Sequence, residues 1–244
     1  MPSRDGEPPP GWGVDYTWNH LRIGDSVPAL LIASVLLLSP SVAPDPASSV
    51  RLARLHYGGG GDWYANPTSH PNLAEALRER LGMEVELDEG RVAPLDDELF
   101  DHPFLHMTGH GNVRFTSEEA ERLRWYLVHG GFLFADDNYG MDETFRREIR
   151  KVFPEAELVE LPFDHGIYHS VYNFSKGLPK IHEHHGGPPK GYGIFHEGRL
   201  VVFYSYNTDI GDGLEDAEVH NDPAPVREQA MKMAINVVAY AMTN

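Results

Sequence analysis

Residues 116–137 read TSEEAERLRWYLVHGGFLFADD. Thr116 and Glu119 stand at the spacing of a capping box, in which each side chain accepts the other residue's amide proton at the start of a helix. Ala120, Leu123 and Leu127 recur at helical period, and Gly130-Gly131 ends the helix, since glycine takes the left-handed terminal conformation without strain. Residues 132–135 are then continuously apolar. A short run without polar alternation, set directly behind a helix, has both faces buried, which is the environment of a central parallel strand. Asp136 and Asp137 therefore stand at a strand's carboxyl end.

The same alternation extends both ways. Upstream, residues 50–57 predict a first strand running into a glycine run at 58–61, and Asn72 is placed to cap a helix carrying Leu73, Ala76, Leu77 and Leu81. Met83, Val85 and Leu87 alternate with Glu84 and Glu86, predicting a strand with one wet face, and residues 104–108 predict another. Downstream, Asp142 is placed to cap a helix bearing Phe145, Ile149 and Phe153, which Pro154 closes, and residues 158–161 predict a strand. Residues 162–189 are rich in Pro, Gly and His, lack a period and are long for a plain connection, as functional loops often are. Residues 192–196 and 199–206 predict a hairpin across Glu197-Gly198. A last helix puts Val226, Ala230, Met233, Ala234, Val237, Val238 and Ala241 on one face. Strands alternating with helices predict a doubly wound α/β fold with a mainly parallel sheet, in one domain over residues 50–244.

Composition narrows the chemistry. The 244 residues carry 37 acidic against 20 basic side chains, a formal charge of -17 that repels nucleic acid and anionic lipid at long range and sets both aside as partners. There is no cysteine, which removes thiol nucleophiles, disulfides and thiolate metal sites. Residues 29–38 form an apolar run of signal-peptide length, too short to cross a bilayer comfortably. Ser41 and Ala43 follow at signal-peptidase spacing, with a later cut near Ala47 as the alternative, and the Pro- and Gly-rich residues ahead of Val27 predict a true start at Leu21 or Val27. The expected location is the periplasm or cell envelope, with an uncleaved N-terminal anchor as the alternative and the sole membrane contact.

In an open parallel sheet, ligands bind beyond the carboxyl ends of the strands. The residues there are polar throughout: Gly59, Gly60 and Asp62 after the first strand, His110 after the next central one, Asp136, Asp137, Asn138 and Tyr139 after the 132–135 run, and Asn207 and Asp209 after the hairpin. These are the candidate ligand-binding residues, together with His165. The glycine run could present amides to an anion but lacks the Lys and Ser/Thr of a phosphate-binding loop, and a flexible loop is the alternative. Adjacent carboxylates at Asp136 and Asp137 would repel, raising one pKa or requiring a cation, unless one of them caps the following turn. Asp137 and His110 are the candidate catalytic groups. His182 and His184 would project to one side of an extended segment, the arrangement a His-based metal site needs, and with Asp136, His165 and His169 they form the candidate set for a divalent metal. Ordinary surface histidines are the alternative, since a His-Glu-x-x-His helix is absent and residues 209–213 fail the EF-hand spacing. Trp63, Tyr64, Tyr139, Tyr168 and Tyr172 would suit either sugar stacking or covering the core.

Residues 105–142, with Thr108-Gly109-His110-Gly111, Gly130-Gly131-Phe132 and Asp136-Asp137-Asn138-Tyr139-Gly140-Met141-Asp142, resemble an uncharacterised bacterial family, domain of unknown function 4159. Leu161-Pro162-Phe163-Asp164-His165, Leu178-Pro179-Lys180-Ile181-His182 and Tyr204-Ser205-Tyr206-Asn207-Thr208-Asp209-Ile210-Gly211 resemble the same family, and the likeness covers residues 51–243. That family is grouped with the class I glutamine amidotransferase-like superfamily, which implies a flavodoxin-like three-layer α/β/α sandwich. In catalytic members of that superfamily a cysteine stands on the turn after a central strand and a histidine follows a late strand. Here those places hold residues 136–139 and 206–209, so thioester glutaminase chemistry is excluded, while a nucleophilic Asp137 stays conceivable. With the apolar run at residues 29–38 and the convergence of polar loops without a recognisable nucleophile, the leading expectation is an exported member of that superfamily that keeps the pocket without the amidotransferase reaction and binds a small polar or carbohydrate-like ligand or a partner protein. The alternatives are a metal-assisted hydrolase using the Asp and His residues, and a scaffold with a vestigial pocket.

Overall fold

A computed structural model describes residues 49–244. The predicted signal run, its cleavage positions and the alternative starts Leu21 and Val27 lie outside the described residues. The sheet contains β1 (Ala53–Leu55), β2 (Gly90–Val92), β3 (Phe104–Gly109), β4 (Phe132–Asp137), β5 (Val159–Glu160), β6 (Lys190–His196) and β7 (Arg199–Tyr206), in the spatial order β2-β1-β3-β4-β7-β6-β5. From β2 across to β7 every pairing is parallel; β6 runs against β7, and β5 against β6.

Helices cover both faces. On one, α1 (Ser69–Leu81) and α6 (Ala224–Thr243) bury Leu73, Leu77, Met233 and Val237 against Leu52, Phe104, Phe134 and Phe203. On the other, α2 (Ser117–Val128) and α3 (Asp142–Val152) bury Leu123, Leu127, Phe145 and Ile149 against Leu55, Leu105, Leu133, Ala135 and Val202. Along β4 the residues alternate between these two cores, so the continuously apolar run is what a strand covered on both sides requires. The capping box forms: the Thr116 hydroxyl accepts from the Glu119 amide at 3.2 Å and the Glu119 carboxylate from the Thr116 amide at 2.7 Å.

Several boundaries differ from expectation. The strand predicted at residues 83–87 is reduced to a single bridge between Val85 and Val50, and the edge position beside β1 goes to β2. The physical reason is Glu89, which precedes β2 and pairs with the buried Arg54 of β1 at 3.0 Å, whereas Glu84 and Glu86 have no buried partner of that kind. Asn72 lies inside α1 and bonds the Leu214 carbonyl and Asp216 instead of capping. Asp142 is the first residue of α3, not its cap, and bonds Arg146 and the Tyr204 hydroxyl. The long irregular loop is partly structural: Ile167, Tyr168, Phe174, Leu178 and Ile181 all enter the core under α6. Two short helices not read from the sequence, α4 (Ile210–Leu214) and α5 (Ala217–His220), follow β7.

Candidate functional site

The chain reverses its direction of travel across the sheet between β1 and β3. The helix after β1 lies on one face and the helix after β3 on the other, so the loops that leave these neighbouring strands diverge at their carboxyl ends, the switch point at which open parallel sheets bind ligands. The glycine run crosses this point. Gly58 bridges to Arg114, a Cβ on Gly59 would lie 2.0 Å from the Asn112 carbonyl oxygen, and one on Gly61 would lie 2.1 Å from that of Gly111. These glycines thus serve close backbone approach, which replaces the flexible-loop reading, and only Gly60 has open space where a side chain would go.

That cross-bracing presents a paired acid and imidazole. Asp62 accepts from both the His110 amide and, at 2.8 Å, His110 Nδ1, leaving Nε2 for a ligand. The imidazole is about half exposed, at 53% of its side-chain surface. Burial works to raise the Asp62 pKa, but the bonds from His110 outweigh it and hold the carboxyl below its usual value.

Asp136 and Asp137 do not form a dyad, because successive residues of β4 point to opposite faces. Asp136 is fully buried and receives the Ser205 hydroxyl and the amides of Ile210 and Gly211, so it anchors the start of α4. Burial, with repulsion from Asp209 and Asp212, pushes it up to about 7 in spite of those bonds. Asp137 accepts from the amides of Tyr139 and Met141 at 3.1 and 2.9 Å and thereby shapes the turn after β4. It is 2% exposed and raised by burial, a supporting group with no open face for nucleophilic attack. Asn138, also buried, takes the Thr108 hydroxyl and gives its amide hydrogens to Asn66 and Asp212.

Beyond β7, Asn207 and Asp209 both adopt the left-handed conformation, at φ 60° and 62°, which Asn and Asp tolerate better than other side chains. Asn207 takes the Lys180 ammonium at 2.6 Å. Asp209 is turned inward, fully buried, and its Oδ2 meets His184 Nε2 and, at 3.2 Å, His182 Nδ1. The same His182 nitrogen lies 3.0 Å from Asp212 Oδ2, and its Nε2 lies 3.0 Å from Asp222. Hydrogen bonds to Asp209 and Asp212 outweigh burial and raise His182 to about 10, an imidazolium held among carboxylates. Tyr139, 46% exposed, places its ring 4.8 Å from those of both His184 and His185, joining this cluster to the 138–140 turn.

Of the predicted residues, Asp62, His110, Asp137, Asn138, Tyr139, Asn207 and Asp209 share the carboxyl rim of the sheet, and His182 and His184 reach it from the long loop. His165 and His169 do not. His165 packs on Phe195 and Tyr240 near the opposite end of the sheet, because the loop turns back there to bury Ile167 and Tyr168. His169 spends both ring nitrogens on Asn173 and the Phe163 carbonyl. Asp136, predicted as a metal ligand, is committed to α4, and Tyr168, predicted as a stacking ring, is 1% exposed in the core. A cleft of about 450 Å³ beside α3, lined by Arg146, Ile149 and Ile194, contains none of the predicted site residues.

The sequence reading missed Asp212 as a site residue, along with His220, Asp222, Asn66 and the frame beneath them. Arg54 is fully buried and bonds Glu89, the Ala65 and Asn66 carbonyls and the Ser69 hydroxyl, which fixes the loop carrying Asn66 to the rim. Beside it His70 and His106 share a 2.9 Å hydrogen bond in the core. The signal was present: Arg54 and His106 interrupt strands that are otherwise apolar, and a charged or polar residue at such a position needs a buried partner.

A family model described as a domain of unknown function, DUF4159, matches residues 51–242. No curated protein matches the chain.

Proposed function

The chain belongs to the DUF4159 family, and we propose that this member binds a small, hydroxyl-rich polar ligand at the switch point above β1 and β3, with His110 as the group that exchanges a proton with it. The observation that carries this function is the Asp62–His110 pair at the point where the chain reverses across the sheet. An imidazole whose Nδ1 is held by a carboxylate, and which is half exposed at this switch point, has Nε2 available to accept or deliver a proton at a ligand hydroxyl. The rim carboxylates Asp62, Asp209, Asp212 and Asp222 repel anions, which favours neutral, sugar-like ligands over phosphorylated ones. The exposed Tyr139 ring adds a stacking surface. We further propose an amidotransferase-like ancestry, supported by the mainly parallel sheet with helices on both faces, from which thiol chemistry has gone, since the chain has no cysteine, and export directed by residues 29–38. Among the described residues no helix is long and apolar enough to cross a membrane. Metal-assisted hydrolysis is a second reading, favoured by the imidazoles and carboxylates around His182.

A panel of neutral and anionic sugars, screened by thermal shift and then calorimetry, tests the proposal. Binding of a neutral member, weakened at least about tenfold in His110→Ala and Asp62→Asn, is the expected result. A panel without binders, or binding indifferent to both substitutions, would remove it.

A further inference from the structure

We infer that His182, His184 and Asp209, joined by Asp212, form a binding site for one divalent transition metal ion, with Zn²⁺ as the best match. The inference goes beyond the ligand-binding function and does not depend on it. Ligand atoms of His182, His184 and Asp209 all lie within 4.8 Å of one another, and so do those of His182, Asp212 and His220. His182 belongs to both sets, and its Nδ1 faces the Asp209 and Asp212 carboxylates at 3.2 and 3.0 Å. Imidazole nitrogen and carboxylate oxygen together suit zinc and its neighbours better than calcium or magnesium, which take oxygen ligands.

Two further observations separate this cluster from an ordinary knot of surface charge. Asp209 is fully buried, and while its Oδ2 meets both imidazoles, its Oδ1 has no hydrogen-bond partner among the described residues. A buried carboxylate oxygen left unpaired is costly, and a cation held by both oxygens of Asp209 beside the two imidazoles would satisfy it. Asp222 then supplies what metal-bound histidines commonly have, a carboxylate on the far ring nitrogen: its oxygens lie 3.0 and 3.1 Å from His182 Nε2, so the ion would replace the Nδ1 proton that bonds Asp209 and Asp212. Asn138 orients Asp212 in the same manner, through a 2.9 Å bond to Oδ1 that leaves Oδ2 turned to His182. An ion held here would stand on the same rim as His110.

Full-length protein without an affinity tag, stripped with a chelator, is titrated with Zn²⁺ by calorimetry, and bound metal is counted by mass spectrometry after dialysis. About one ion per chain is expected for the wild type and for His129→Ala, whose exposed ring stacks on Trp125 at the end of α2. Affinity should fall by about 100-fold or more in Asp209→Asn and His184→Ala, and by about 10- to 100-fold in Asp222→Asn, which touches only the far side of His182. Should Asp209→Asn fail to fold by circular dichroism, His184→Ala decides, because that side chain is only loosely packed, with 32% of its surface exposed. Binding well below one equivalent by the wild type overturns the inference. So does unchanged affinity in His184→Ala, or an equal loss in His129→Ala.

Discussion

Replacing Arg54 by Met probes the buried frame that holds the rim in place. Methionine keeps most of the side-chain volume but removes every hydrogen bond to Glu89, to the Ala65 and Asn66 carbonyls and to Ser69. Breaking a buried ion pair from one side costs about 3–5 kcal/mol, and because Arg91 still reaches Glu89 at 2.8 Å the lower end applies, about 3 kcal/mol. The acid sets a ceiling on that figure. Burial pushes the Glu89 pKa up, but the contact with His70 and the charge of Arg54, assisted by Arg91, bring it down to about 2. Lowering it from 4.5 to about 2 corresponds to about 3 kcal/mol shared among His70, Arg54 and Arg91, so it is a ceiling on the part that Arg54 supplies, further reduced because one edge of the carboxylate meets water. A depressed carboxyl pKa stabilises the fold above the unfolded value, so this contribution is complete above pH 4.5 and is lost as pH falls toward 2. Urea unfolding followed by circular dichroism, at pH 7 and at steps below pH 5, measures both effects. Arg54→Met should lose about 3 kcal/mol at pH 7 and show a shallower decline in acid than the wild type. A loss under about 1 kcal/mol at neutral pH, with an unchanged acid limb, would refute the role assigned to this pair.

Three other perturbations test neighbouring parts of the structure. His70 and His106 are both lowered by burial, so they fold neutral; their contribution is complete above the unfolded value of 6.5 and is lost as pH falls below it, and His106→Gln should flatten the fall in urea midpoint between pH 7 and 5. Gly61→Ala drives a methyl group into the Gly111 carbonyl and should cost about 2 kcal/mol or more, whereas Gly60→Ala, at φ +84° with space around it, should cost about 1 kcal/mol; equal losses in thermal unfolding would contradict the packing given to the glycine run. Asp136 is raised from 3.8 to about 7, so its contribution is complete below pH 3.8 and is lost as pH rises through about 7; Asp136→Asn should gain on the wild type across that interval, and parallel stability curves would count against a protonated Asp136.

Local signals carried most of the architecture. The capping box at Thr116, the double glycine, the apolar run of β4, the hairpin turn at Glu197-Gly198 and the stripe along α6 each depend on residues within a few positions of one another, so they are legible in one dimension. The failures were those in which a distant partner decided the outcome: Glu89 drew β2 beside β1 in place of residues 83–87, and Asp136 drew α4 out of residues for which the sequence pattern predicts no element.

The rim divides the same way. That polar residues follow the strands was evident from order alone, and so were His110, Asp209, His182 and His184 as candidates. Which of them meet was not, because the distance between a loop histidine and a strand-end carboxylate depends on where each strand lies in the sheet, and spatial order is not sequence order. Tertiary structure sent His165 and His169 to other surfaces, turned Asp136 and Asp137 to opposite faces, and brought Asp212, His220 and Asp222 to His182. Residue chemistry is written into the chain; the ångström-scale separations that let it act come only from packing the strands side by side.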